Sequence, residues 1–264
     1  MSATIFAIVN QKGGVGKTTT AVNLAAYLGQ QQKKCLLVDF DPQGNASSGI
    51  GVQTESLTCG IYELMMTSKT LPETLCPTPF KTLHLLPATR HLAGAEIELV
   101  ELQNRELYLK NTLAPLEDYY DYIIIDCSPS LGLLTINALC AAHKAIIPLQ
   151  CEYFALEGIA GLINTLTQVK DTLNPLLEIG GILLTMFDGR TALNRQVVEN
   201  ARQFFKDLIF DTLIPRNIRL SEAPSHGLPI SIYSPKCNGA IAYQALTEEV
   251  LKRAKQEQYS TETR

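Results

Sequence analysis

Positive charge is in short supply in this chain. Its 264 residues carry 22 Lys and Arg against 26 Asp and Glu, a net charge of −4. No global basic field therefore drives it onto nucleic acid, and any such binding has to come from a local patch. Metal-cluster spacing is missing as well. The seven cysteines, at positions 35, 59, 76, 127, 140, 151 and 237, form no C-x-x-C pair, and His84, His91, His143 and His226 show no ligand spacing. The cysteines read as buried free thiols in a reducing compartment. No apolar run approaches the length of a membrane span. The N-terminus has neither a basic region nor a cleavage site, so Ile5-Phe6-Ala7-Ile8-Val9 reads as a strand rather than a signal peptide. No linker, repeat or low-complexity segment divides the chain, and 46% hydrophobic with 18% charged residues is a globular composition. A cytoplasmic protein with a single domain over residues 1–264 is expected.

Short β-branched runs alternate with helical periodicities along the chain. The pattern predicts strands over 5–9, 35–39, 83–87, 122–126, 145–149 and 182–186. Helical faces are predicted at Leu156, Ile159, Ala160, Ile163 and Leu166, and again at Leu193, Val197, Ala201 and Phe204. The stretch 56–79 reads as loop and short helix, and a last helix is predicted over about 239–255 with a frayed polar tail, Gln256 to Arg264. Strand–helix alternation means parallel strands joined by right-handed crossovers. The fold class is α/β, a doubly wound and mostly parallel sheet flanked by helices. Ile123-Ile124-Ile125 and Ile182-Leu183-Leu184 are apolar without alternation, as befits strands covered on both faces. Such sheets bind ligands at the carboxyl ends of their strands.

Residues 11–19, Gln-Lys-Gly-Gly-Val-Gly-Lys-Thr-Thr, fall at one such end and open a helical pattern with Ala21, Leu24, Ala25 and Leu28 on one face. A strand feeding a glycine-rich turn into a helix is a phosphate cradle, whose backbone N–H groups converge on an anion at a helix N-terminus. The cradle spans Lys12, Gly13, Gly14, Val15, Gly16, Lys17, Thr18 and Thr19, and side chains at the three glycines would block the backbone's approach. Lys17 is placed to reach the β- and γ-phosphates, and the Thr18 hydroxyl to ligate Mg²⁺. Gln11 stands where the common pattern has glycine. Lys12 reads either as a solvated loop lysine or as a second phosphate-binding cation.

Carboxylates complete the site. Asp126 closes the apolar strand Tyr122-Ile123-Ile124-Ile125, where a metal-holding aspartate is needed; an aspartate there also suits a simple turn cap. In Asp39-Phe40-Asp41-Pro42-Gln43-Gly44-Asn45 the proline and glycine force a turn directly after a strand. Two acids beside an anion site repel it unless a metal or water intervenes, which assigns Asp39 to the outer metal shell and Asp41 to the attacking water. Strand-end capping and turn stabilisation are their plainer alternatives.

With these motifs in order, the chain resembles the ParA/Soj family of partition ATPases, within the deviant-Walker-A, MinD-type P-loop proteins. The resemblance rests on Lys12 to Thr19, Asp39 to Asn45, Asp126 to Leu131, Glu152 to Gly158 and Ile214 to Gly227. It implies an ATP- and Mg²⁺-dependent sandwich homodimer in which Lys12 crosses to the partner's nucleotide and Asp41 is catalytic. It further implies adenine contacts from Pro215 and Asn217, and non-specific DNA binding by Arg190 and Arg219 in the dimer. Hydrolysis stimulated by a ParB-type centromere-binding protein then releases DNA, which drives chromosome or plasmid segregation from the nucleoid. Alternatives are a ParA-like ATPase that positions another cargo, a MinD-type membrane cycler and an iron–sulfur reductase. The second lacks its amphipathic tail in Gln256-Glu257-Gln258-Tyr259-Ser260-Thr261, and the third lacks a second loop cysteine to match Cys127. A chain that starts at its first strand resembles the short members, without an N-terminal helix-turn-helix.

Overall fold

Apolar runs without alternation become strands buried on both faces. The computed structural model describes residues 2–152 and 155–262. Its strands are β1 (Thr4–Ile8), β2 (Cys35–Phe40), β3 (Cys76–Pro77), β4 (Leu83–Leu86), β5 (Tyr122–Cys127), β6 (Lys144–Gln150) and β7 (Glu178–Thr185). They form a seven-stranded sheet in the order β3-β4-β2-β5-β1-β6-β7. Every pairing is parallel except that of β3 with β4. From β1 the chain winds outward through β2 to β4, returns to the centre at β5, then continues on the other side through β6 and β7. That reversal opens a crevice at the carboxyl edge around β1 and β5.

Alternate residues of each strand feed two cores. Ile5, Ala7, Leu36, Val38, Ile123 and Ile125 point to one side, under helices α2 (Leu133–Ala141), α3 (Ala155–Thr172) and α4 (Ala192–Phe205). Phe6, Ile8, Leu37, Ile124, Ile146 and Leu183 point to the other. Helices α1 (Lys17–Gln30) and α5 (Asn238–Glu262) cover that second side through Ala21, Leu24, Leu28, Tyr243 and Leu246. Each Ile or Leu so buried contributes about 1.5–3 kcal/mol of transfer free energy. Two polar ties fix α5 against α1: Thr20 Oγ1 and Tyr243 Oη lie 3.1 Å apart, and Tyr27 Oη donates to the Ala240 carbonyl at 2.9 Å.

The structure departs from expectation in several places. The stretch 56–79 holds short helices at Ile61–Met66 and Leu71–Thr74 and also the edge strand β3, which is too short to show a pattern. Its Pro77 is tolerated because an edge strand leaves one side unpaired. On α3 the buried stripe is Ile159, Leu162, Leu166 and Val169, with Ala160 exposed. On α4 it is Val197, Val198, Ala201 and Phe205, while Leu193 and Phe204 stand outside. The last helix continues to Glu262 rather than ending near 255. Tyr153, Phe154, Thr263, Arg264 and the side chain of Leu156 lie outside the described residues. Cys59, Cys76 and Cys237 are half-buried rather than buried, and all seven cysteines are free. Among the described residues no helix is long and apolar enough to cross a membrane.

Two loops at the carboxyl edge touch backbone to backbone. Gly51 has φ +93° and Gly227 φ +63°, and a Cβ on Gly227 would sit 2.6 Å from Gly51 Cα. Gly227→Ala therefore meets both left-handed strain and a backbone clash. The melting temperature is expected to fall by roughly 5–15 °C in differential scanning calorimetry. An unchanged Tm would show that these loops do not pack in solution.

Candidate functional site

The carboxyl edge carries a row of polar side chains on the face covered by α1. Strand parity places Asp39 at the end of β2, Asp126 on β5, Gln150 on β6 and Thr185 on β7 there, with Asn10 just beyond β1. Asp39 is opposite Asp126 in register, and Gln150 is opposite Thr185. Two acids thus lie on one side of β1 and two neutral hydrogen-bonding groups on the other.

Above the row sits the glycine-rich turn. Gly14 has φ +72° and Gly16 φ +92°, conformations that a side chain strains. A Cβ on Gly13 or Gly14 would meet no protein atom within 4 Å. The space such a side chain would fill is open to a ligand, so the steric need for glycine is against that ligand and not against the protein. Lys17 opens α1 and is buried, its Nζ donating to the Lys12 carbonyl at 3.0 Å. Burial pulls the Lys17 ammonium below its ordinary pKa, with Asp126 and Asp41 among the groups pushing back. Lys12 points elsewhere: its Nζ pairs with Glu152 at 2.8 Å, both side chains half exposed.

The acids differ in what they touch. Asp39 is fully buried and accepts from the Ser47 amide at 2.7 Å and the Ser47 hydroxyl at 2.6 Å. Burial nonetheless raises its pKa to about 6, against the hydrogen bonds from Ser47. Both carboxylate oxygens of Asp126 are buried without a hydrogen-bond partner. Burial, then the neighbouring Asp39, raises its pKa well above the ordinary value, while Thr18 and Lys17 pull it down. An orphaned buried carboxylate beside a threonine hydroxyl is an oxygen donor set suited to a hard divalent cation such as Mg²⁺. Among the described residues no group of three His, Cys, Asp or Glu side chains is arranged to hold a metal alone. A cation here would also need phosphate or water oxygens. Asp41 accepts from the Gln43 amide at 3.0 Å and lines the cavity beside the cradle, so it both shapes the turn and faces the open space.

That cavity, about 640 Å³, is lined by Gly13, Gly16, Lys17, Thr18 and Asp41 with Pro224 across from them. A second cavity of about 540 Å³ shares Gly16, Thr19, Met186, Leu220 and Pro224 with it, and is lined further by Pro215 and Asn217. Asn217 caps the Ile218–Glu222 helix by accepting from the Arg219 amide at 2.8 Å. The continuous space suits a phosphate chain at one end and a flat base at the other.

Arg190 and Arg219 lie outside these cavities on the surface. Arg190 grips Asp188 with two bonds of 2.9 and 2.7 Å, and Arg219 pairs with Glu222 at 2.8 Å. The bonds from Arg190 pull the Asp188 carboxyl down to about 2. The structure brings the glycine-rich turn and Asp39, Asp41 and Asp126 to one place, as expected from the sequence. Sequence reasoning missed Asn10, Ser47, Gln150, Thr185 and Met186; the only available signal was that Gln150 and Thr185 end strands at the ligand edge.

Comparison with known proteins finds relatives over nearly the whole chain. A family profile described as "AAA domain" matches residues 3–179. The chromosome partitioning protein ParA of Myxococcus xanthus is 54% identical over 94% of this chain and 88% of its own length. The chromosome-partitioning ATPase Soj of Treponema pallidum is 54% identical over 93% and 96%. Among solved structures, cobyrinic acid a,c-diamide synthase from Mycobacterium smegmatis with bound ADP and magnesium superposes with a TM-score of 0.84. It has 36% identity and covers 96% of each chain.

Raised carboxylate pKa values set a pH dependence whose sign is fixed. Asp39 and Asp126 hold protons in the folded chain that the unfolded chain has released. Their penalty is absent below about pH 4, grows as pH rises from there toward the folded values, and is constant above them. Asp126→Asn should therefore raise the Tm of the nucleotide-free chain, by about 2–8 °C at pH 8, with a smaller gain at pH 5. A variant that melts below wild type at pH 8 would mean that the carboxylate has a stabilising partner.

Proposed function

We propose, from the premise that this chain belongs to the ParA/Soj family of chromosome-partitioning ATPases, that it is a DNA-partitioning switch driven by ATP. As a member of that family it is an ATP hydrolase that uses Mg²⁺. The observation that carries the reading is the open glycine cradle set beside the partnerless carboxylate of Asp126. The Mycobacterium smegmatis synthase shares the fold at lower identity, so its named activity is not carried over.

In this reading Gly13 to Thr19 hold the phosphates, and Lys17 turns from the Lys12 carbonyl to the β- and γ-oxygens. Thr18 and Asp126 would hold Mg²⁺, with Asp39 one shell further out, fixed by Ser47. The metal, when bound, neutralises charge on the phosphate oxygens. Asp41 orients a water for in-line attack on the γ-phosphate. Pro215 and Asn217 border the adenine.

Lys12 gives the site its dimer dependence. Its pair with Glu152 is half exposed, and such pairs contribute about 0–1 kcal/mol, so an opposing triphosphate can draw it away. Two protomers then close face to face over two nucleotides. Arg190 and Arg219 appear twice on one surface of the pair. Their present partners, Asp188 and Glu222, keep them neutralised and exposed, and DNA phosphates compete for them. About four phosphate contacts imply a salt slope of roughly −3 to −4, hence weak, sequence-independent and reversible binding to the nucleoid. A ParB-type partner accelerates hydrolysis, and hydrolysis separates the protomers and releases DNA.

Light scattering with ATP tests the switch. Asp41→Ala is expected to persist as a dimer, with turnover reduced about 10²-fold or more. Turnover equal to wild type would remove Asp41 from the mechanism. Arg219→Glu is expected to abolish retention on DNA in a gel shift while ATP hydrolysis without DNA stays at the wild-type rate. A shift identical to wild type would clear that surface of a role.

A further inference from the structure

A cradle of backbone N–H groups works only if the carbonyls of the same turn face away from the anion. The peptide unit is planar and trans, so fixing the carbonyl of one residue aims the N–H of the next in the opposite direction. In this turn three carbonyls are held by side chains. Lys17 Nζ donates to Lys12 O at 3.0 Å, Gln150 Nε2 to Gly14 O at 2.8 Å, and Thr185 Oγ1 to Val15 O at 2.9 Å. A fourth group, Asn10, accepts the Lys12 amide at 3.0 Å and ties itself to the Pro148 carbonyl at 2.7 Å.

We infer that Gln150 and Thr185 are positioning residues for phosphate binding, holding the Gly14 and Val15 carbonyls outward so that the Val15 and Gly16 amides face the phosphates. The inference rests on the ATPase reading above and adds to it residues that touch no nucleotide phosphate themselves. Lys17 cannot serve permanently in this way, because its charge belongs to the phosphates once they arrive. Gln150 and Thr185 are neutral and face no such competition. Their placement is rigid: they are opposite one another in register at the last positions of β6 and β7. Thr185 is buried, and Gln150 is braced further by Met186 Sδ at 3.1 Å. Met186 itself has φ +53°, a left-handed conformation unusual for a side chain of its size, directly after Thr185. A turn containing Gly14 and Gly16 has few intrinsic preferences, so its peptide orientations come from such outside bonds.

The test uses the full chain, with ADP binding by calorimetry and kcat from steady-state hydrolysis of ATP. Thr185→Val removes the hydroxyl at nearly constant volume, Thr185→Ser keeps it, and Gln150→Met keeps length without the donor. Thr185→Val and Gln150→Met are each expected to weaken ADP binding about tenfold, the equivalent of one neutral hydrogen bond. The kcat at saturating ATP should stay within about twofold of wild type, since the lost interaction is made equally in ground and transition states. Thr185→Ser should bind as wild type. If Thr185→Val fails to fold, as a thermal melt would show, Gln150→Met decides alone. Wild-type affinity in the decisive variant, or equal losses in Thr185→Ser and Thr185→Val, would overturn the assignment while the ATPase reading stands. A wild-type chain that binds no ADP would overturn both.

Discussion

The structure depends on turning a short run of peptide groups so that their amides face one way and their carbonyls the other. Glycine permits that arrangement at Gly14 and Gly16 but does not impose it. What imposes it is the carboxyl edge of the sheet beneath, where β6 and β7 end in Gln150 and Thr185 beneath the Gly14 and Val15 carbonyls. Parallel strands have evenly spaced ladders, so side chains at their ends form a platform of regular spacing. A loop resting on that platform inherits its order.

The same edge concentrates the unfavourable electrostatics. Asp39 and Asp126 occupy adjacent strands in register, both fully buried; burial raises both pKa values, and Asp39 raises that of Asp126 further. Ser47 relieves Asp39 with two hydrogen bonds, whereas the oxygens of Asp126 have none. A buried carboxylate left in this state is a strained arrangement that a cation can relieve. The asymmetry separates the two acids: Asp39 is satisfied within the fold, and Asp126 is not.

Charge on the outer surface is held in exposed pairs. Lys12, Arg190 and Arg219 each have an acidic partner close by, at Glu152, Asp188 and Glu222. Exposed pairs of this kind contribute little, so a phosphate group can displace the acid at small cost. Free cations would bind DNA whether or not the nucleotide site was filled. In the proposed two-fold dimer the neutralised cations would be doubled on one surface, which is how a chain of net charge −4 would hold DNA in that reading.

Local spacing alone determined the parallel sheet, the cradle from Lys12 to Thr19 and the strand-end positions of Asp39 and Asp126. Periodicity and glycine placement are properties of neighbouring residues, and they survive without knowledge of the fold. The buried stripe on α4 departs from the hydropathy pattern at Leu193 and Phe204 because adjacent helix positions differ by only 100° and packing against the sheet, not hydropathy, selects the buried one. Gln150 and Thr185 were invisible for a different reason. Beyond a strand-end position their own surroundings do not mark them, and their contacts arise only when β6 and β7 are laid beside β1 and bring them against residues more than a hundred positions away. Tertiary structure alone decided which oxygens were satisfied, Asp39 by Ser47 and Asp126 by none, because hydrogen-bond partnership is set by distance in space and not along the chain.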